Sequence, residues 1–160
     1  MALAKNIGSI SIKGTTVQRR KGNPQPRIAE CYSGLINSVG LENPGMENVI
    51  QKELKDLEKI YRKPVIANIS GFSVEEYVTL AREMDKVENV GIIEVNISCP
   101  NVDHGGLAFG TNADNVRELT KKIKEVTTKP VYMKLSPNVT DIKEIARAAE
   151  EGGADGISLI

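Results

Sequence analysis

Along the chain, short apolar runs of strand length alternate with segments whose apolar residues recur every three or four positions. The runs at 7–12, 64–67, 91–95, 130–133 and 156–160 predict strands, and the segments at 46–61, 74–86, 112–127 and 140–151 predict amphipathic helices. Start signals support two of the helices: Ser73 precedes Val74-Glu75-Glu76, and Thr140-Asp141 precedes Ile142. Gly152-Gly153 predicts the end of the last helix, because glycine accepts the left-handed conformation in which helices often stop. Lys63-Pro64 and Lys129-Pro130 each end a helical segment and open a strand. Alternation of this kind predicts right-handed βαβ units and a parallel sheet buried on both faces.

The residues that follow each apolar run are more informative. Asn68-Ile69-Ser70 follows PVIA, Asn96-Ile97-Ser98 follows IIEV, Lys134-Leu135-Ser136 follows PVYM, and Lys13-Gly14-Thr15 follows ISI. In parallel α/β folds the C-terminal ends of the strands share one edge, where ligands bind. Any one polar tip is as well explained as the cap of its own βα turn. Four together favour a site. No G-x-G-x-x-G and no G-x-x-x-x-G-K-[ST] is present, so a doubly wound nucleotide-binding sheet is disfavoured against a (β/α)8 TIM barrel. Five strands and four helices are fewer than the eight of each that a closed barrel needs. The expectation is a single α/β domain over residues 1–160 that is a partial (β/α)8 barrel, lacking the first strand and the last two to three βα units. Such an open sheet would expose strand edges and invite self-association.

Between Lys13 and the first helix lie residues with scattered apolar positions and frequent Gly, Pro and Asn, read as a long excursion without regular elements. Within it, Asn37-Ser38-Val39-Gly40-Leu41 offers an amide, a hydroxyl and a flexible backbone. That set suits a planar ligand rich in N–H and C=O groups, although by itself the stretch reads sooner as a solvated turn.

Composition narrows the partners. The 160 residues carry 21 Lys+Arg against 21 Asp+Glu, so no basic surface for nucleic acid is implied. Cys31 and Cys99 lack metal-ligand spacing and fit a reducing compartment, Cys31 as a small buried hydrophobe. No metal site is expected. His104, the only histidine, reads as part of a loop rather than as a base. The absence of a long apolar run predicts a cytoplasmic, soluble chain.

The blocks KGTT, GNPQPR, NSVGLENPG, NISCPNVDHGG, KLSPNVTDI and GADGISLI, in this order, resemble the FMN-dependent dihydroorotate dehydrogenases over essentially the whole chain. NVDHGGLAFGT after the cysteine most resembles the NAD-linked class, class 1B, and cysteine at position 99 is similar to the class 1 enzymes. The resemblance implies oxidation of (S)-dihydroorotate to orotate in de novo pyrimidine biosynthesis. A proton leaves C5, and a hydride passes from C6 to FMN. It implies Cys99 as the general base, and a thiol must ionise to act as one, so activity should rise with pH. It implies Lys13, Asn37, Ser38, Val39, Gly40, Leu41, Asn96 and Asn101 as substrate contacts. It implies Lys13, Gly14, Asn68, Asn96, Lys134 and Ile160 as cofactor contacts. Asn96 and Asn101 supply amides that both donate to and accept from a pyrimidine, and Lys13 and Lys134 supply fixed positive charge beside the flavin. The expected partners are an electron-transfer subunit carrying FAD and a 2Fe-2S cluster, and a second copy of the chain. As an isolated species, residues 1–160 are expected to bind FMN weakly, with little or no activity.

The residues leave alternatives open. A flavin-dependent dihydropyrimidine dehydrogenase would share the asparagine–cysteine loop. A (β/α)8 lyase would use Lys134 to form a Schiff base. A noncatalytic binding module would need none of this chemistry.

Overall fold

A computed structural model describes residues 6–98 and 107–159. Four strands, β3 (Val65–Ile69), β4 (Val90–Asn96), β5 (Val131–Leu135) and β6 (Gly156–Leu159), form one sheet in the order β3-β4-β5-β6. All three pairings are parallel. Helices α2 (Val74–Asp85), α4 (Ala113–Lys124) and α5 (Ile142–Glu151) connect successive strands, and a short turn, α3 (Leu107–Gly110), precedes α4. Each long helix is capped from its own sequence. Ser73 accepts from Glu76 N, Asn112 from Asn115 N and Asp141 from Lys143 N, each satisfying an N–H that the first turn leaves open. At the end of α5, Gly153 takes the left-handed conformation with φ of 94°. The first helix, α1, is a continuous run over residues 46–58 with a wide π turn at Val49–Glu53.

The expected βαβ alternation is therefore present, and the sheet with its helices is one side of a (β/α)8 barrel. Two details differ from the expectation. The run at 7–12 forms no strand of its own. It meets β3 through one parallel bridge at Ser11–Ile66, with Ile12 N donating to Ile66 O and Ile66 N donating to Ile10 O, and a second bridge at Thr15–Ile69 follows beyond the run. The excursion before α1 is not without elements either. β1 (Ile28–Cys31) and β2 (Gly34–Asn37) pair antiparallel as a hairpin. Every residue of that hairpin is exposed, Cys31 included, which corrects the reading of Cys31 as a buried hydrophobe.

Burial along the strands follows period two. Val65, Ala67, Ile69, Ile93, Val95, Val131, Met133 and Leu135 are buried, and they pack with Tyr77, Leu80 and Met84 of α2, Leu119 and Ile123 of α4, and Ile145 of α5. The alternate positions, among them Glu94, Asn96, Tyr132 and Lys134, are only half-buried, so the sheet is dry on its helix face alone and not on both. The β6 edge carries Ile157 and Leu159 exposed. Among the described residues, no helix is long and apolar enough to cross a membrane.

At the N-terminal end of the strands, Asp85 ties α2 to the turn before β5. Its Oδ1 accepts from Thr127 Oγ1 at 2.6 Å, Thr128 N at 2.8 Å and Lys129 N at 3.2 Å. The Thr127 hydrogen bond is the largest influence holding the Asp85 carboxyl below its ordinary range, helped by the two backbone donors. A folded-state value below the unfolded one stabilises above the unfolded value and fades as pH falls through the folded one. An Asp85→Asn variant should thus unfold at lower denaturant than the parent at pH 7. The gap should close as the pH is taken below about 4, the ordinary aspartate range, in paired urea titrations.

Candidate functional site

The polar residues predicted at the strand tips lie inside the strands, as their last inward-facing positions: Asn68 in β3, Asn96 in β4 and Lys134 in β5. Period two explains the shift, since a polar residue on the face away from the helices does not end pairing. Register then sets them side by side, with Asn68 opposite Glu94, Asn96 opposite Lys134, and Lys134 opposite Ser158.

Two hydrogen-bonded groups occupy this face. In the first, Lys134 Nζ donates to Ser98 Oγ at 2.5 Å, and Ser98 donates from both Oγ (2.9 Å) and N (3.1 Å) to Asn96 Oδ1. The Asn96 amide is held with its oxygen toward Ser98 and its nitrogen turned away. Tyr77 of α2 donates to the Asn96 backbone carbonyl at 2.8 Å, which anchors the strand end from behind. In the second group, Glu94 accepts from Asn68 Nδ2 at 2.5 Å and from Ser158 Oγ at 2.7 Å, linking β3, β4 and β6. Two buried oxygens here have no hydrogen-bond partner among the described residues: Asn68 Oδ1 and Ser70 Oγ. Such atoms are costly to leave dry.

Gly14 lies beside them. A Cβ on Gly14 would stand 2.9 Å from Leu41 Cδ1, 3.0 Å from Asn68 Oδ1 and 3.4 Å from Ser70 Oγ. Gly14, Leu41, Asn68 and Ser70 therefore surround one spot that only a residue without a side chain leaves open. Thr15 N donates to Asn68 O, and Ser70 N to Thr15 O, fixing that segment against β3. Lys13 is exposed and shares a groove with Arg20, Val39, Glu42 and Asn43.

The segment Asn37–Leu41 forms a wall beside this floor. Asn37 and Ser38 are exposed, whereas Gly40 and Leu41 are buried with φ of 73° and 60°. Gly40 has a steric reason, since a Cβ there would come within 2.6 Å of the Asn23 side chain. Leu41 has no such licence and is held in place by Asn43. That buried amide donates to Leu41 O (2.8 Å) and Thr16 Oγ1 (2.9 Å), and accepts from Thr16 N (3.2 Å) and Gly45 N (3.0 Å). Asn23 Nδ2 reaches Ser38 O at 2.8 Å, and Ser38 N reaches Arg27 O at 2.9 Å. The backbone of this segment is thus pinned, with its first two side chains in solvent and its last two residues buried.

The structure brings together Gly14, Leu41 and Asn68, and separately Asn96 and Lys134. Among the described residues no hydrogen bond joins the side chain of Lys13, Asn37 or Ser38 to either group. Cys99, Asn101, His104 and Ile160 lie outside the described residues. Sequence reasoning missed Glu94, Ser70, Ser98, Ser158 and Asn43. For Glu94 the signal was available, since it stands two residues before Asn96 in a strand and so shares its face.

A floor of amides and an ammonium on parallel strand ends, faced by a long pinned loop, defines a (β/α)8-type ligand site. The family model for dihydroorotate dehydrogenase matches residues 1–160. The chain belongs to the dihydroorotate dehydrogenase family. It is similar to proteins named dihydroorotate dehydrogenase B (NAD(+)), catalytic subunit. With that of Fusobacterium nucleatum it shares 53% identity over 154 residues, 96% of this chain and 50% of the relative. With that of Halalkalibacterium halodurans the identity is 53% over 155 residues, 97% and 50%. With that of Enterococcus faecalis it is 54% over 154 residues, 96% and 49%. The resemblance to the NAD-linked class agrees with these relatives, and the chain spans about half the length of the curated relatives it matches.

Removing the Asn43 side chain leaves a buried carbonyl and two buried N–H groups without their partner. Asn43→Ala should cost about 2–3 kcal/mol, read by chemical denaturation, and should raise amide exchange across residues 38–45 while leaving β4 and β5 protected.

Proposed function

We propose that the chain supplies much of the active site of an FMN-dependent dihydroorotate dehydrogenase of the NAD-linked class. The observation that carries this reading is the pair of buried, unpartnered oxygens, Asn68 Oδ1 and Ser70 Oγ, facing the bare backbone of Gly14. A flat ring bearing N–H and C=O groups suits such a place. It needs close approach to backbone, which Gly14 allows, and it offers a donor to an amide oxygen. The residues present therefore fit FMN, with Gly14, Asn68, Asn96 and Lys134 holding it and Ile160 a further contact by resemblance. When bound, FMN supplies the acceptor for the hydride that leaves C6 of dihydroorotate.

The chain's own residues do the rest. Lys134, fixed by Ser98 at a half-buried strand end, places positive charge where negative charge develops on a neighbouring ring. The Asn96 amide, locked by Ser98, presents its nitrogen in one direction, and with Asn101 it orients the pyrimidine. Asn37, Ser38 and the backbone of Val39, Gly40 and Leu41 form the opposite wall, with Lys13 beside them. Cys99 removes the proton from C5 as thiolate. We further propose that residues 1–160 form one partial barrel domain, that the protein works in the cytoplasm in pyrimidine biosynthesis, and that it pairs with a second copy and with an iron–sulfur and FAD subunit.

The test uses the full-length gene product loaded with FMN under anaerobic conditions. Dihydroorotate should bleach the flavin's visible absorption rapidly. Cys99→Ser should slow bleaching strongly at neutral pH, and Lys134→Ala should slow it roughly 100-fold, the usual effect of removing one fixed charge-stabilising donor. A flavin that dihydroorotate leaves oxidised, while dihydrouracil bleaches it, would transfer the reading to dihydropyrimidine oxidation.

A further inference from the structure

Glu94 is a half-buried carboxylate on the ligand-facing side of the sheet, on the same face as Asn96 in its own strand, Asn68 in β3, Lys134 in β5 and Ser158 in β6. Nothing in the chemistry described above uses it. It is not idle in the structure: one oxygen accepts from Asn68 Nδ2 at 2.5 Å and the other from Ser158 Oγ at 2.7 Å. An ionised carboxylate only accepts hydrogen bonds, and an amide donates only through its nitrogen. The Asn68 amide therefore has one permitted orientation, nitrogen toward Glu94 and oxygen toward Gly14. That oxygen is the one buried without a partner, on a residue only 7% exposed.

We propose that Glu94 is a positioning residue that sets the polarity of the cofactor site. By claiming the Asn68 nitrogen it obliges the site to present an acceptor, and thus selects a ring whose edge there carries an N–H. The inference rests on the reading of the site as an FMN site and adds to it the residue that determines which way the Asn68 amide faces. Ser158, two strands away, holds the second carboxylate oxygen and keeps Glu94 from swinging out of reach of Asn68.

A carboxamide at position 94 removes the compulsion. With its oxygen accepting from Ser158, its nitrogen faces Asn68, whose amide then turns and offers N–H to the ligand; with its nitrogen donating to the Ser158 hydroxyl, the parent orientation survives, so the amide is shared between the two. In the turned orientation donor would meet donor. Exchanging the two groups, with Glu94→Gln and Asn68→Asp together, restores an oxygen toward Gly14 and keeps the net charge of the pair.

The experiment measures FMN affinity by flavin fluorescence titration of the full-length apoprotein, with thermal unfolding of the apo forms alongside. Glu94→Gln should weaken FMN binding at least tenfold, and Ser158→Ala should weaken it two- to threefold. The Glu94→Gln/Asn68→Asp pair should recover most of the lost affinity, although each of its members alone loses it. A merely structural Glu94 would give no such recovery. Should Glu94→Gln misfold, Ser158→Ala and the exchanged pair still decide the matter. Wild-type affinity in both Glu94→Gln and Ser158→Ala, or an exchanged pair no better than the single variants, overturns the proposal. These readings need no dihydroorotate. A wild-type protein that binds FMN but is not bleached by dihydroorotate sinks the functional reading alone, and one that binds no FMN sinks both.

Discussion

Everything at the polar face of the sheet depends on the register of three parallel pairings. The helix-facing positions of β3, β4 and β5 are closed to solvent, with Ala67, Ile93, Val95 and Met133 all at 0% exposure. Slipping any of these strands by one residue would carry those side chains to the other face and drive Asn68, Glu94 or Lys134 into the helix layer. The cost of burying an unpaired carboxylate or ammonium there far exceeds what a single pairing contributes. The apolar face therefore specifies the register, and the register delivers Asn68 to Glu94 and Asn96 to Lys134. The polar constellation is positioned by residues that never touch it.

The same constraint explains how charge is distributed on that face. Glu94 and Lys134 lie on neighbouring strands, yet each has been given neutral neighbours of its own: Asn68 and Ser158 for the carboxylate, Ser98 for the ammonium. Hydrogen bonds to a charged group are stronger than neutral ones, and they fix the orientation of the neutral partner. One charge thereby sets the direction of the Asn68 amide, and the other is linked through Ser98 to the Asn96 amide. Two amides that could each face either way are left with one useful face apiece.

Much of this was legible in the sequence, and the failures have physical causes. The parallel strands and helices were readable because their burial is regular, and the capping residues Ser73 and Asp141 marked two of the starts. The hairpin β1–β2 was not. Its Ile28, Leu35 and Ile36 face solvent, so no alternation of burial backs the pattern, and its turn places Ser33 rather than glycine at φ of 62°. Cys31 was misjudged for the same reason. The run at 7–12 looked like a strand because it is apolar, but its contact with β3 is a single bridge and not a ladder. Asn68, Asn96 and Lys134 were found as types, but their strands were ended one or two residues too early, which put them at tips rather than on a face. That displacement is what hid Glu94: a tip has no neighbour two residues back, whereas a strand face does.

Floor and wall of the site are also tied to each other, and the reason is local. Leu41 holds a left-handed conformation that an ordinary side chain disfavours by roughly 1–2 kcal/mol, and its carbonyl is fixed by Asn43. Asn43 in turn is bound to Thr16, two residues from Gly14, and Gly14 lies against Leu41 and Asn68. The chain of contacts closes on itself, from wall to anchor to strand end to floor and back to the wall. The two sides are thus cross-linked by buried hydrogen bonds around Gly14, and a group that bound there would have little ordering of those bonded segments left to supply.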